Sequence, residues 1–167
     1  MIRELLGLPI YYKTKISQTE FKTLQGYAVD HLGVKNIYAL RDKFEGERYY
    51  NQFLQRSFAE LAFQNYIGES FFQLEEKSNK DFKPDFALDN KKVEVIDCSF
   101  EEYPKIPAGD YDSLIFCFVN LSSRDVWIAG SLDRDTAMKE SNQNLLSPMF
   151  RKSFHGVLKN LTILEAI

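Results

Sequence analysis

Charge of one sign, cysteine, glycine and long apolar runs are all scarce in this chain, and each scarcity removes a class of protein. Of 167 residues, 21 are Lys or Arg and 24 are Asp or Glu, a net charge of −3. Proteins that wrap nucleic acid by bulk charge are strongly basic. Any contact with a polyanion must therefore come from a local basic face or a bound cation. The two cysteines, Cys98 and Cys117, both lie in apolar runs that read as buried strands. That placement makes them reduced core residues rather than a disulfide or a metal pair. No apolar run approaches the roughly 18 residues of a membrane span, and Met1-Ile2-Arg3-Glu4 does not open a signal peptide. The expectation is a soluble cytoplasmic domain. With no Gly-rich phosphate loop, no Ser/His/Asp order and no CxxC, the other common chemistries lack support.

What the chain does have is aromatic bulk. Fourteen Phe and nine Tyr, in a composition 44% hydrophobic, supply a core and exclude disorder and coiled coil. No repeat or linker divides it, so residues 1–167 read as a single domain. It comprises an N-terminal helical or extended region (1–46), a core (47–130) and a C-terminal helix and tail (131–167). Ser17 followed by Glu20 predicts a capping box opening a helix to His31, stopped at Gly33. Val34–Leu40 reads as a short strand. Residues 47–67 give the clearest helix, with Phe53, Leu54, Phe58, Leu61, Ala62 and Ile67 on one face and Gly68 as its stop. Arg56, Glu60 and Gln64 share the neighbouring face. Beyond Gly68 the period becomes strand-like, predicting strands at Phe71–Leu74, Phe82–Leu88, Val93–Ser99, Asp112–Asn120 and Asp125–Ala129. Asp89-Asn90 predicts a tight hairpin turn, and Ser122-Ser123-Arg124 links another hairpin. A short helix at about Leu132–Glu140 and an edge strand at Leu161–Leu164 complete an α/β fold, a mixed sheet of about five strands flanked by helices.

The segment that carries chemistry runs from Lys83 to Cys98. A two-residue turn at Asp89-Asn90 pairs Leu88 with Lys91, Ala87 with Lys92, Phe86 with Val93, and hence Asp85 with Glu94. Direct cross-strand partners stand about 4.5–5.5 Å apart at Cβ and share a face, so these carboxylates repel unless a cation lies between them. A divalent metal with hard oxygen ligands resolves that conflict. Phe86, Val93 and Val95 point into one core. Lys83, Asp85, Ala87, Lys92, Glu94, Ile96 and Cys98 point the other way, onto a mixed face that the helix carrying Glu60 could cover. Alternation turns Asp97 away from Glu94, toward a partly buried, hydrogen-bonded role or a strand-end bulge.

Pro84-Asp85, a hairpin, then Glu94-Val95-Ile96, preceded by a helix bearing Glu60, resembles the PD-(D/E)xK nuclease superfamily, the restriction-endonuclease-like fold. The resemblance covers about residues 50–130. It implies a DNA endonuclease that hydrolyses phosphodiester bonds with Mg²⁺ or Mn²⁺, of restriction or homing type, acting on double-stranded DNA as a homodimer or higher homo-oligomer. Asp85 and Glu94 would ligate the metal, with the carbonyl of Val95 or Ile96 as a further ligand. Glu60 would hold a water of the metal or a second metal. The family's lysine position is Ile96 here, and three readings follow. Lys83, opposite Ile96 in the hairpin register, substitutes for the missing lysine. Alternatively the metal alone suffices, or catalysis is lost and the module binds nucleic acid or a protein partner. Phosphate contacts are expected from Lys13, Lys15, Arg151, Lys152 and Lys159. A cap-snatching type of RNA nuclease, with Lys105 as the lysine, is a thinner match.

Each residue also has a plainer reading. Glu60 and Arg56 form an i, i+4 surface ion pair worth a few tenths of a kcal/mol. Asp85 starts a strand, and Glu94 lies on a solvated edge. His31 and His155 are surface residues, and Trp127 is packing.

Overall fold

The computed structural model describes residues 12–42, 46–74, 86–99, 106–107 and 109–141. Five strands form one sheet in the order β1-β5-β4-β3-β2. They are β1 (Tyr12–Lys15), β2 (Phe86–Leu88), β3 (Lys91–Ser99), β4 (Ser113–Asn120) and β5 (Asp125–Asp133). Three helices accompany them: α1 (Gln18–His31), α2 (Gly46–Ile67) and α3 (Arg134–Ser141). The β3–β4 pair is parallel and the other three pairs are antiparallel, so the sheet is mixed and the fold is α/β. The expected strand at Leu161–Leu164 lies outside the described residues. No helix among the described residues is long and apolar enough to cross a membrane.

The central strand explains the layering. Six consecutive residues of β4, Leu114–Val119, are buried, the signature of a strand covered on both faces. On one face Val93, Val95, Ile115, Cys117, Val119, Val126 and Ile128 pack with Leu54, Phe58 and Ala62 of α2 and with Leu24 and Ala28 of α1. On the other, Ile96, Cys98, Leu114, Phe116, Phe118, Ala129 and Leu132 pack with Tyr111 and with Ala137 of α3. The expected mixed face is thus a second apolar core. The helix carrying Glu60 covers the Val93/Val95 face instead. Cys98 and Cys117 are buried, in no disulfide, one in each core.

A bulge lets β5 serve both layers. Phe116 pairs with Gly130 but Cys117 pairs with Ile128, leaving Ala129 as the extra residue. The extra residue shifts the phase of alternation, so Ala129 and Leu132 both reach the second core. Gly130, at φ 153°, takes a conformation that side-chain-bearing residues rarely adopt. The break in alternation there hides the last four residues of the strand, which the sequence pattern ends at Ala129.

The helix-start signal at Ser17 holds. The Ser17 backbone N–H donates to Glu20 Oε2 at 2.8 Å and the Glu20 N–H donates to Ser17 Oγ at 3.1 Å, a complete capping box. Asp133 opens α3 by accepting from the Thr136 N–H (2.9 Å) and hydroxyl (2.7 Å). Gly33 and Gly68, at φ 59° and 73°, end α1 and α2 as expected. Where α1 crosses α2, the rings of Tyr27 and His31 stack with those of Tyr49 and Phe53 at centroid distances of 5.7–6.5 Å.

Two expected strands are absent for a local reason. Ile37–Asp42 is a 3₁₀ turn, because Asn36 Oδ1 accepts the N–H groups of Tyr38 and Ala39 and starts a helical turn. The N–H groups of Phe71 and Phe72 both donate to Gln64 Oε1, at 3.0 and 2.9 Å, in place of a ladder. Conversely β1, with the unassertive sequence Tyr-Lys-Thr-Lys, is a strand because β5 offers it an edge.

Replacing Ser17 with Ala is expected to cost about 1 kcal/mol of stability. Urea unfolding should show a lower midpoint with an unchanged slope. An unchanged midpoint would mean that the box does not hold α1.

Candidate functional site

The hairpin that frames the site has the register expected from its turn. Phe86 pairs with Val93, Ala87 with Lys92 and Leu88 with Lys91. Asp89 and Asn90 adopt φ 50° and 63°, the left-handed pair of a tight I′-like hairpin turn. The next pair in this register is the one expected for Asp85 and Glu94. Asp85 and Lys83 themselves lie outside the described residues.

Glu60 and Glu94 come together, and burial of both is the unusual fact. Glu60 is fully buried on α2 and Glu94 is 3% exposed on β3. Ionised carboxylates are almost never fully buried without a partner, because desolvation penalises the charge. Arg56 supplies that partner. Its Nε donates to Glu60 Oε1 at 2.5 Å and its Nη2 donates to Glu94 Oε1 at 2.5 Å. A single guanidinium fork therefore links two carboxylates 34 positions apart in sequence, the geometry that favours Arg over Lys.

The cluster extends along β3. Arg56 Nη1 lies 3.8 Å from Asp97 Oδ1, and Gln55 Nε2 donates to Asp97 Oδ2 at 2.9 Å. Burial pushes the Asp97 carboxyl above its ordinary value, opposed by the charge of Arg56 and the bond from Gln55. Asp97 is partly buried and hydrogen-bonded as expected, but it shares Arg56 with Glu94 instead of standing apart from it. Val95, whose carbonyl was expected to help hold a metal, is fully buried between Glu94 and Ile96. Ile96 is 3% exposed in the second core.

Arg56 and Glu60 are therefore not a solvated surface pair. Spacing showed the i, i+4 relation but not the burial, and nothing in the sequence indicated that Arg56 spans to β3. Two carboxylates of the expected site, on separate elements, meet at a cation that the chain itself provides. Among the described residues, no group of three or more His, Cys, Asp and Glu is placed to hold a metal ion.

The other expected groups stand apart. Lys92 pairs with Asp110. Lys13 and Lys15 lie on the edge strand β1, where the Lys13 ammonium sits 3.5 Å from Asp125 and 5.0 Å above the Trp127 ring. Trp127 is partly buried against the second core, as packing. His31 is exposed but stacks between Tyr27 and Tyr49. Lys105, Arg151, Lys152, His155 and Lys159 lie outside the described residues.

Comparison of the chain with known protein families, with characterised proteins and with solved structures finds no match.

A raised carboxyl pKa means that the folded protein binds the proton more tightly than the unfolded chain. Its contribution to stability is then present below the unfolded value near 3.8 and is lost as pH rises through the folded value. Asp97→Asn removes this dependence. Denaturant unfolding at pH 4 and pH 7 should show the wild type losing stability relative to Asp97→Asn at the higher pH. A difference that is flat or grows the other way would contradict the burial-driven shift.

Proposed function

We propose that the chain is a metal-dependent endonuclease that hydrolyses phosphodiester bonds of double-stranded DNA. The observation that carries the proposal is the convergence of Glu60 and Glu94, both buried, on one cationic group at the base of a hairpin. Their chemistry suits the ion: buried hard carboxylate oxygens from two rigid elements are donors for Mg²⁺ or Mn²⁺. When bound, the ion supplies acidification of water and neutralisation of phosphate charge. Glu94 and Asp85 would hold it, with the Val95 carbonyl beside them, and Glu60 would fix its water or a second ion. Lys83 would orient the attacking water and meet the developing charge on phosphorus. Action on both strands calls for a homodimer or higher homo-oligomer, since each site cuts one strand.

A second reading rests on Ile96. The position where the resemblance calls for a lysine is filled by a side chain buried in an apolar cluster, and Arg56 already neutralises the carboxylates. A nuclease-like module without catalysis, binding nucleic acid or a protein partner, follows from the same two facts.

Calorimetric titration of Mn²⁺ separates the readings without knowledge of a target sequence. The endonuclease proposal expects binding by the wild type that is lost in both Asp85→Ala and Glu94→Gln. Absence of binding at millimolar Mn²⁺ would overturn it and leave the non-catalytic module.

A further inference from the structure

Arg56 differs from the groups it holds in one respect, its access to solvent. Its side chain is 30% exposed, whereas those of Glu60 and Glu94 are 0% and 4% exposed. The carboxylates are fixed inside by α2 and β3. The guanidinium belongs to a partly exposed side chain, and its Nη1 also lies 3.8 Å from Asp97 Oδ1. It occupies the Glu60 and Glu94 oxygens that the metal reading needs for an ion and its water. The two cations therefore exclude each other.

We propose that Arg56 is a displaceable internal counter-cation, which neutralises the Glu60–Glu94 pair in the metal-free protein and swings out to solvent when a divalent ion binds. This inference rests on the metal reading above and adds a regulation to it. Part of the intrinsic metal affinity is used to eject Arg56, so the chain sets its own threshold for metal. The device also explains how two buried carboxylates persist before metal arrives.

Two measurements on the full chain test it. The first follows the Arg56 Nε–H resonance by ¹⁵N NMR during titration with diamagnetic Mg²⁺. The proposal expects a slowly exchanging signal in the presence of chelator that disappears into fast exchange with solvent as Mg²⁺ saturates. The second compares Mn²⁺ affinity of the wild type with that of Arg56→Lys, which keeps the positive charge but lacks the fork. A lysine ammonium lacks the planar fork that holds both carboxylates at once, so binding should be at least threefold tighter than in the wild type. Electrostatics alone would leave it unchanged. A metal-bound protein whose Arg56 signal stays protected, or an Arg56→Lys variant with equal or weaker affinity, overturns the displacement while leaving the metal site standing. A wild type that binds neither ion overturns both, and the calorimetric arm identifies that case.

Discussion

One guanidinium between two buried carboxylates is the constraint around which the rest of the structure is arranged. Desolvating an ionised carboxylate costs several kcal/mol, and a good partner offsets that cost only when its geometry is close to ideal. Arg56 meets both Glu60 and Glu94 at 2.5 Å. To do so, α2 has to lie across β3 with the correct rotation and at the correct height. The apolar face of α2 provides the adhesion, through Leu54, Phe58 and Ala62 against Val93, Val95 and Ile115. That contact is tolerant of small slips, as apolar packing is. The ionic bridge is not, so it specifies the register of helix on sheet.

The sheet in turn has to be covered on both sides to make β3 a buried platform. A second core under Ile96, Phe116 and Leu132 does this, closed by Tyr111 and by α3. The bulge at Ala129-Gly130 is the device that lets one strand feed both cores. Lys92, Asp112 and Arg134 knit the strand ends together at the other extreme of the cluster. The Lys92 N–H donates to Asp112 Oδ2 at 2.7 Å, and the Arg134 N–H donates to the Asp112 carbonyl at 2.9 Å. This anchoring at the Lys92 end of β3 keeps Glu94 where a site built on regular elements needs it.

Elements with strong local signals were legible from the sequence. The capping box at Ser17, the apolar stripe of residues 47–67 and the Asp89-Asn90 turn each encode geometry in side chains a few positions apart. The hairpin register followed from the turn alone. Illegible were features decided by side-chain capture of the backbone or by distant partners. Asn36 and Gln64 accept backbone N–H groups of the strand-like runs, and β1 owes its extended form to β5. At the site, the two glutamates were legible as chemistry, Glu94 through its register opposite Asp85 and Glu60 through the resemblance, whereas the burial of Glu60 was not. Arg56 was legible only as a neighbour of Glu60. Its reach to β3 depends on which face of the sheet α2 covers, and alternating polarity along β3 pointed to the wrong face because Glu94 and Lys92 disguised a second apolar core.

The most direct test of this account is a double-mutant cycle on Glu60→Gln and Glu94→Gln, read by denaturant unfolding. If Arg56 couples the two carboxylates, the losses should be non-additive by more than about 1 kcal/mol, since each substitution alone breaks the same bridge. Losses that add to within about 0.5 kcal/mol would mean that the two glutamates act independently, and the bridge between α2 and β3 would not be the organising interaction.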